Sequence, residues 1–432
     1  MSFSHRGNGA AASSGTMPLE GARPKMPPEA RLLFIGLFLS VASNNLFTPL
    51  LPDIQHSMGK SASAIGAFVS AYGLARLIVD LPSGAMTSRM GPRRVVTIGV
   101  LLNAGSSAAG IFAPNFESLI AARVGSGVGA GLLATVVLSG LSDIAPVAIR
   151  GRVMSLYQVA NNLGIAVYPL IGGVVGSAWG WRSAYGVAVV ASLLSGLTLA
   201  PLLGSISAAA MRSAAEKAAG GKQAGASDAG VAASTSTGRR AILLSGTSIA
   251  FAAIFFGVFA NMVNRHGFRN TVLPLFAESS VHLSPVQTAT GVTLMSLVGI
   301  AVTIPGAVLG DRIGRKKIVV AGLLILAAGD LFFPVLATNY WSYILAAMLV
   351  GTGDFFSSSQ TALLSDLVSG PRRAMVLGGY RFFVDLGALI GPSALGWIYG
   401  GYGARAAMTV AAVILFAAAI INLVGVPRRA LT

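Results

Sequence analysis

Arg76 and Asp80 stand four residues apart inside one long apolar run, and Arg381 and Asp385 repeat that spacing in another. On a helix, residues four apart are neighbours on one face, so each base can reach its acid. Asp354 lies in a third run, Gly351-Thr352-Gly353-Asp354-Phe355-Phe356, with no basic residue within one turn. Arg123 lies in a fourth. A fifth carries Asn261, Asn264, Arg265 and Arg269, which share one helical face, with His266 and Gly267 beside them. Carboxylates and guanidiniums in such surroundings pair with one another, exchange protons or bind charged solutes. The rest of the chemical repertoire is thin. The chain has no cysteine, which excludes disulfides and thiolate metal sites. His5, His56, His266 and His282 show no metal-ligand spacing, and no nucleophile–base pair argues for an enzyme. Gly59-Lys60-Ser61 ends like a phosphate loop, but Ile54 occupies the position of the earlier glycine, so ATP binding is rejected and no cofactor is expected.

The elements that hold these residues are apolar runs of about 20 residues, the length that crosses a bilayer as a helix. The chain is 54% hydrophobic and 10% charged over 432 residues, against about a quarter charged for a soluble domain. Lipid is the solvent that suits it. Twelve spans are predicted. Six are residues 32–52, 62–86, 95–114, 118–141, 153–177 and 183–204; the others are 247–274, 285–310, 318–336, 341–367, 376–400 and 406–426. The runs lack the alternation of a membrane barrel. The domain reading is an N-terminal tail (1–30), a six-helix half (31–204), a flexible Ala/Gly/Ser-rich linker (205–240), a second six-helix half (241–427) and a C-terminal tail (428–432). A short amphipathic helix fits near 211–218.

The net charge of +16 sits mainly in short loops, where it sets topology; it does not mark nucleic-acid binding. Arg89, Arg93, Arg94, Arg150, Arg152, Arg312, Arg315, Lys316, Lys317, Arg372 and Arg373 fall on one side, against Lys60, Arg182 and Arg405 on the other. The rich side is expected to be cytoplasmic, with both termini and the linker.

The two halves repeat. Ser88-Arg89-Met90-Gly91-Pro92-Arg93-Arg94 and Asp311-Arg312-Ile313-Gly314-Arg315-Lys316-Lys317 lie 223 residues apart. The same offset relates Leu141-Ser142-Asp143 to Leu364-Ser365-Asp366, and Tyr157, Leu163, Gly164 and Pro169 to Tyr380, Leu386, Gly387 and Pro392. A repeat of six spans keeps its orientation, so the halves are related by an axis along the membrane normal. The two loops resemble the signature loop of the major facilitator superfamily, over Arg31 to about Val426. Gly164-x-x-x-Tyr168-Pro169-x-x-Gly172-Gly173 resembles the antiporter motif of its drug:proton exporters, and Arg123-x-x-x-Gly127 their buried-arginine motif. Ser88 stands where the family usually has Asp, and Tyr168 where it usually has Gly.

The resemblance implies an all-α membrane protein of twelve helices, with the first, fourth, seventh and tenth around a central cavity and the second facing the eleventh. Charges inside spans cost roughly 2.5–3.5 kcal/mol each at the bilayer centre, so each needs a reason. Asp354 is the first candidate for a transported proton, with Asp80 and Asp385 next and Arg123 modulating it; the other reading is an Asp hydrogen-bonded to a neighbouring helix. Arg76, Asp80, Arg381 and Asp385 form either cross-half gate pairs, Arg76–Asp385 and Arg381–Asp80, or private pairs within each helix. Arg89, Asp311 and Arg312 complete the gate at the basic loops. Asn44, Asn45, Phe256, Asn261, Asn264, Arg265 and Phe355 are the substrate-binding candidates, in a cavity aromatic on one side and cationic on the other. Against this, Arg265 and Arg269 could anchor the helix at the outer interface. Gly127, Gly131, Gly164, Gly172 and Gly173 serve helix packing or hinging. The function expected is proton-driven efflux of small amphiphilic or drug-like compounds by a monomer in a cell membrane; the rival is import of organic anions or polar solutes in the same fold.

Overall fold

A computed structural model describes residues 29–144, 150–201, 246–367 and 373–426. The tails before residue 29 and after 426, and the expected linker with its amphipathic helix, lie outside the described residues. No strand occurs among them. Nine helical stretches among the described residues are long and apolar enough to cross a membrane. Ser183–Leu199 is apolar but shorter, Tyr340–Asp366 is interrupted, and the stretch 373–425 bends at Gly403 (φ 83°, ψ 174°), which divides it in two. The chain is thus a nearly all-helical, multi-pass membrane protein, and its helices group into the twelve segments the sequence predicts.

We number them α1 to α12. The first half holds α1 (Glu29–Ser40, Ala42–Asn45, a 3-10 turn at Thr48–Leu50, and Leu51–Ser57), α2 (Ala62–Met90), α3 (Pro92–Ile111), α4 (Phe116–Ile144), α5 (Arg150–Trp179) and α6 (Ser183–Leu199). The second holds α7 (Gly246–Met262, a π-helical segment Val263–Val272, and Leu273–Ser279), α8 (Pro285–Ile313), α9 (Arg315–Leu336) and α10 (Tyr340–Thr352, a 3-10 turn Gly353–Phe356, and Ser357–Asp366). It closes with α11 (373–402) and α12 (404–425).

The 223-residue repeat is written into the backbone. Ser61 and Ser284 each cap a 29-residue helix, accepting hydrogen bonds from the backbone N–H of Ala64 and Gln287. Both helices contain a proline at the matching place, Pro82 and Pro305. Both end on a left-handed glycine, Gly91 (φ 81°) and Gly314 (φ 101°), which only a residue without Cβ adopts cheaply. Gly180 and Gly403 form a second such pair, and Gly59 (φ 60°) with His282 (φ 56°) a third.

The halves touch along α2–α11 and α5–α8, most closely at the end away from the basic loops. A Cβ on Gly66 would lie 2.3 Å from the Pro392 carbonyl oxygen, and one on Gly173 2.7 Å from Ala289 Cβ. Ser70 Oγ donates to the Leu389 carbonyl at 2.6 Å, and the Ser279 and Tyr399 hydroxyls meet at 2.8 Å. Toward the basic loops, Gly84 on α2 and Gly378 on α11 face open space. One end is sealed and the other parted.

Candidate functional site

Between the halves lies a cavity of about 670 Å³, and a chamber of about 130 Å³ toward the sealed end shares Asn44, Tyr72, Arg76, His266 and Asp385 with its wall. The irregular backbone of three helices, α1, α7 and α10, gathers around it. Non-helical backbone at membrane depth survives where it is buried in protein or lines a polar cavity, because the freed groups still need partners. In α1, Pro49 and Pro52 remove two N–H donors and the helix breaks near Leu46–Phe47. Arg123 of α4 fills the resulting need. Its Nη1 donates to the Ser43 carbonyl at 2.7 Å, and its Nη2 to the Asn44 carbonyl and side-chain oxygen at 3.2 and 3.0 Å. Phe47, Phe68 and Tyr72 surround the guanidinium, with ring centroids 5.0 to 5.1 Å away. It is 2% exposed and has no carboxylate partner within 4.0 Å among the described residues.

The second half builds its node differently. The π-helical segment turns Arg265, His266, Arg269 and Asn270 of α7 toward the cavity. Arg269 grips Asp354 of α10 with both ends of its fork, Nη1–Oδ2 at 2.6 Å and Nη2–Oδ1 at 3.1 Å. Its Nε donates to Asn264 Oδ1 at 3.2 Å, and Asn264 Nδ2 donates to Asp330 of α9 at 2.5 Å. The expectation that Asp354 stands unpaired is therefore corrected. No base lies near it along the chain, but folding brings one from 85 residues away. Nor are Arg265 and Arg269 outer-interface anchors: both border the cavity, and Arg269 is 5% exposed.

Among the substrate-binding candidates, Asn44, Asn45 and Arg265 line the cavity. Asn261, Asn264, Phe256 and Phe355 do not. Asn264 is spent on Arg269 and Asp330, and Asn261 is buried. Phe256 packs on Phe259 of its own helix at 6.2 Å, and the nearby Phe255 stacks on Phe383 of α11 at 5.3 Å, so the stripe is used in packing, partly at the α7–α11 seam. The Phe355 backbone lies against Gly306 of α8.

Of the gate residues, Arg76 pairs with Asp80 within α2, Nε–Oδ2 3.7 Å. Neither cross-half pair exists in this parted arrangement: Arg381 and Asp385 line the cavity with no ion pair within 4.0 Å among the described residues. At the basic loops, Arg89 and Arg312 are exposed, whereas Asp311 binds Arg315 at 3.0 Å. Arg315 also grips both oxygens of Asp366 at 2.6 and 2.7 Å, tying α8, α9 and α10 together. The sequence reading missed Asp330 and this Arg315 clasp. Asp330 carried a usable signal: it is an acid inside the predicted span 318–336, and the rule applied to Asp354 covers it equally.

The arrangement gathers both paired and unpaired charged side chains around one cavity between the halves. A family model described as Major Facilitator Superfamily matches residues 33–269 and 254–431. The probable L-galactonate transporter of Escherichia coli (strain K12) is 28% identical over 154 residues, 36% of this chain and about a third (34%) of that relative's length. The quinolone resistance protein NorA of Staphylococcus aureus (strain COL) is 22% identical over 374 residues, 85% of this chain and 89% of NorA. A crystal structure of peptide transporter POT in complex with sulfate superposes with a TM-score of 0.72 at 18% identity, covering 94% of this chain and 96% of that one, which shows the fold alone. Family match, helical architecture and central cavity agree: this chain belongs to the major facilitator superfamily.

Proposed function

We propose that the protein is a proton-coupled secondary active transporter of small amphiphilic organic anions, working by alternating access, with export the favoured direction. One observation carries the anion preference. Once Arg76–Asp80 and Arg269–Asp354 are set aside as pairs, Arg123, Arg265 and Arg381 remain at the cavity and chamber against Asp385. An excess of unpaired guanidiniums in a low-dielectric space selects for negative charge. The L-galactonate relative, a transporter of a sugar acid by its name, points the same way. The similarity to NorA over most of both chains supports export and keeps efflux of uncharged drug-like compounds as a second reading.

In this reading the basic loops and both termini are cytoplasmic, the described state faces inward, and the molecule works as a monomer in a bacterial plasma membrane. Asp354 takes the coupling proton; its neutralisation loosens Arg269 and lets the site rearrange. Asp385 and Asp80 are the next carriers, and Arg123 sets the field they titrate in.

Direction has an electrical signature. Exporting a monoanion for one entering proton moves two charges, about 4.6 kcal/mol per 100 mV of membrane potential. Importing the anion with one proton moves none. The experiment uses purified protein in proteoliposomes, with phenylacetate and the neutral phenylacetamide as probes. Phenylacetate transport that responds steeply to an imposed potential and falls about tenfold in Arg265→Gln is expected, one lost charge-assisted contact being worth about 1.5–3 kcal/mol. Voltage-insensitive phenylacetate uptake would assign import, and preference for phenylacetamide would sink the anion reading.

A further inference from the structure

Asp330 belongs to α9, a helix that contributes nothing to the cavity wall, and its side chain is completely buried. Its Oδ2 accepts the Asn264 amide at 2.5 Å, while Oδ1 has no polar partner. The orientation of that amide is forced. Arg269 Nε is a donor and cannot face an NH2 group, so the Asn264 oxygen must turn to it and the NH2 to Asp330. Asn264 is therefore a polarised bridge from a buried carboxylate to a buried guanidinium. The bridge joins α9 to α7, and Asp354 continues it to α10.

A cation as buried as Arg269 is strongly disfavoured without a counter-charge. Asp354 supplies that charge until it binds a proton. Around the pair, α7 itself brings Arg265 and His266, α11 brings Arg381 and Asp385, α2 brings Arg76, and α8 presents Gly299 against Asp354. Arg265 is a like charge and worsens the loss. Asp385 makes no ion pair with Arg269. Asp330 is the carboxylate already connected to it by hydrogen bonds. We infer that Asp330 is the reserve counter-ion of Arg269, a positioning residue that holds the guanidinium neutralised and in register while Asp354 carries the proton. Its meaning for coupling rests on the transport reading above; its existence does not, and it is measured without substrate.

The measurement is thermal unfolding of the full chain in detergent for Asp330→Asn, Asp354→Asn and the double variant, each with Arg269 intact and with Arg269→Gln. Asparagine at 330 still accepts the Asn264 hydrogen bond, so a merely structural contact survives the change. With Arg269 intact, the double variant should lose at least about twice the melting-temperature shift of the two singles summed, since coupled sites are non-additive. Adding Arg269→Gln should abolish that excess. The pH profile gives a second readout. In Asp354→Asn the remaining counter-charge is Asp330, so its stabilisation is present while Asp330 is ionised and is lost as falling pH protonates it. The melting temperature should therefore drop more steeply with acid than in the parent, and Asp330→Asn should flatten the drop. If the double variant does not fold while the triple variant does, the inference is supported. Additive singles and double, an Arg269→Gln background that changes nothing, or failure of both double and triple would overturn it.

Discussion

The two halves share several helix-end and proline positions to the residue and differ in how they neutralise a buried arginine. Left-handed residues recur at 59 and 282, 91 and 314, and 180 and 403, and prolines occupy the same turn of α2 and α8. Yet the position of Asp354 corresponds, 223 residues earlier, to Gly131, and that of Asp330 to Ser107. The first half satisfies Arg123 with two carbonyls, an amide oxygen and three aromatic rings. The second half satisfies Arg269 with the Asp354 carboxylate and the Asn264 amide oxygen. A carboxylate pair can be undone by a proton; carbonyls and rings cannot. In the proposed cycle the contrast becomes a division of labour: a fixed cation in the first half that would attract anions, and a switchable one in the second.

The largest expected effects come from breaking these nodes. Arg269→Gln strands Asp354, and breaking a buried pair from one side costs about 3–5 kcal/mol. Adding Asp354→Asn should restore most of that stability in thermal unfolding. Arg123→Gln has no carboxylate to co-mutate, so no single neutralisation should rescue it; a rescue by any acid-to-amide change would erase the contrast. Next, Asp354→Asn fixes the neutral form of the switchable half. The variant should bind and exchange a labelled anion across proteoliposomes, yet fail to accumulate it against a gradient. If it still moves protons with substrate like the parent, the switch lies at Asp385 or Asp80. Third comes the gate. Asp80 pairs with Arg76 while the basic end is parted, but sealing that end would bring α2 against α11. Exchanging Asp80→Arg with Arg381→Asp should then recover more transport than either change alone. No recovery would leave Arg76–Asp80 private to α2 and Arg381 without a cross-half partner.

Much of this was readable from residue order. Spans follow from apolar length, and the repeat from spacing. The helix ends follow from Ser61, Ser284, Gly91 and Gly314, whose side chains or lack of one act locally. Asp354, Arg123 and Arg265 stood out because charge in an apolar run is costly. Their partners did not, because Arg269–Asp354 closes over 85 residues and Arg123 binds backbone freed by a break in α1, neither of which leaves a local pattern. The aromatic stripe from Phe251 to Phe259 misled for the same reason: periodicity shows a shared face, not whether that face meets a cavity or a neighbouring helix.

The smallest effect sharpens the comparison at the basic loops. Arg315 bridges Asp311 and Asp366, whereas the matching positions of the first half are Pro92, Ser88 and Asp143. Pro92 has no charge to donate and Ser88 turns its hydroxyl back to the Ala85 carbonyl at 2.9 Å, so these two positions cannot supply the pair that Arg315 and Asp311 make. The clasp is partly exposed: Asp311 is 63% and Asp366 39% accessible to solvent. Solvent-exposed pairs are worth about 0.2–1 kcal/mol each and weaken with salt. Arg315→Ala should therefore lower stability by no more than about 2 kcal/mol for the two contacts. Its effect on transport should be larger than its effect on stability, because the clasp fixes the mutual angle of α8, α9 and α10 at the parted end. Ser88→Asp with Pro92→Arg would install the same charges in the first half. If the halves move as rigid bodies about the sealed end, this symmetric variant should change transport rate by less than about threefold, within the range of one weak surface pair. A much larger slowing would mean that the first half has to flex at that loop during the cycle, and that leaving it unclasped is part of the mechanism.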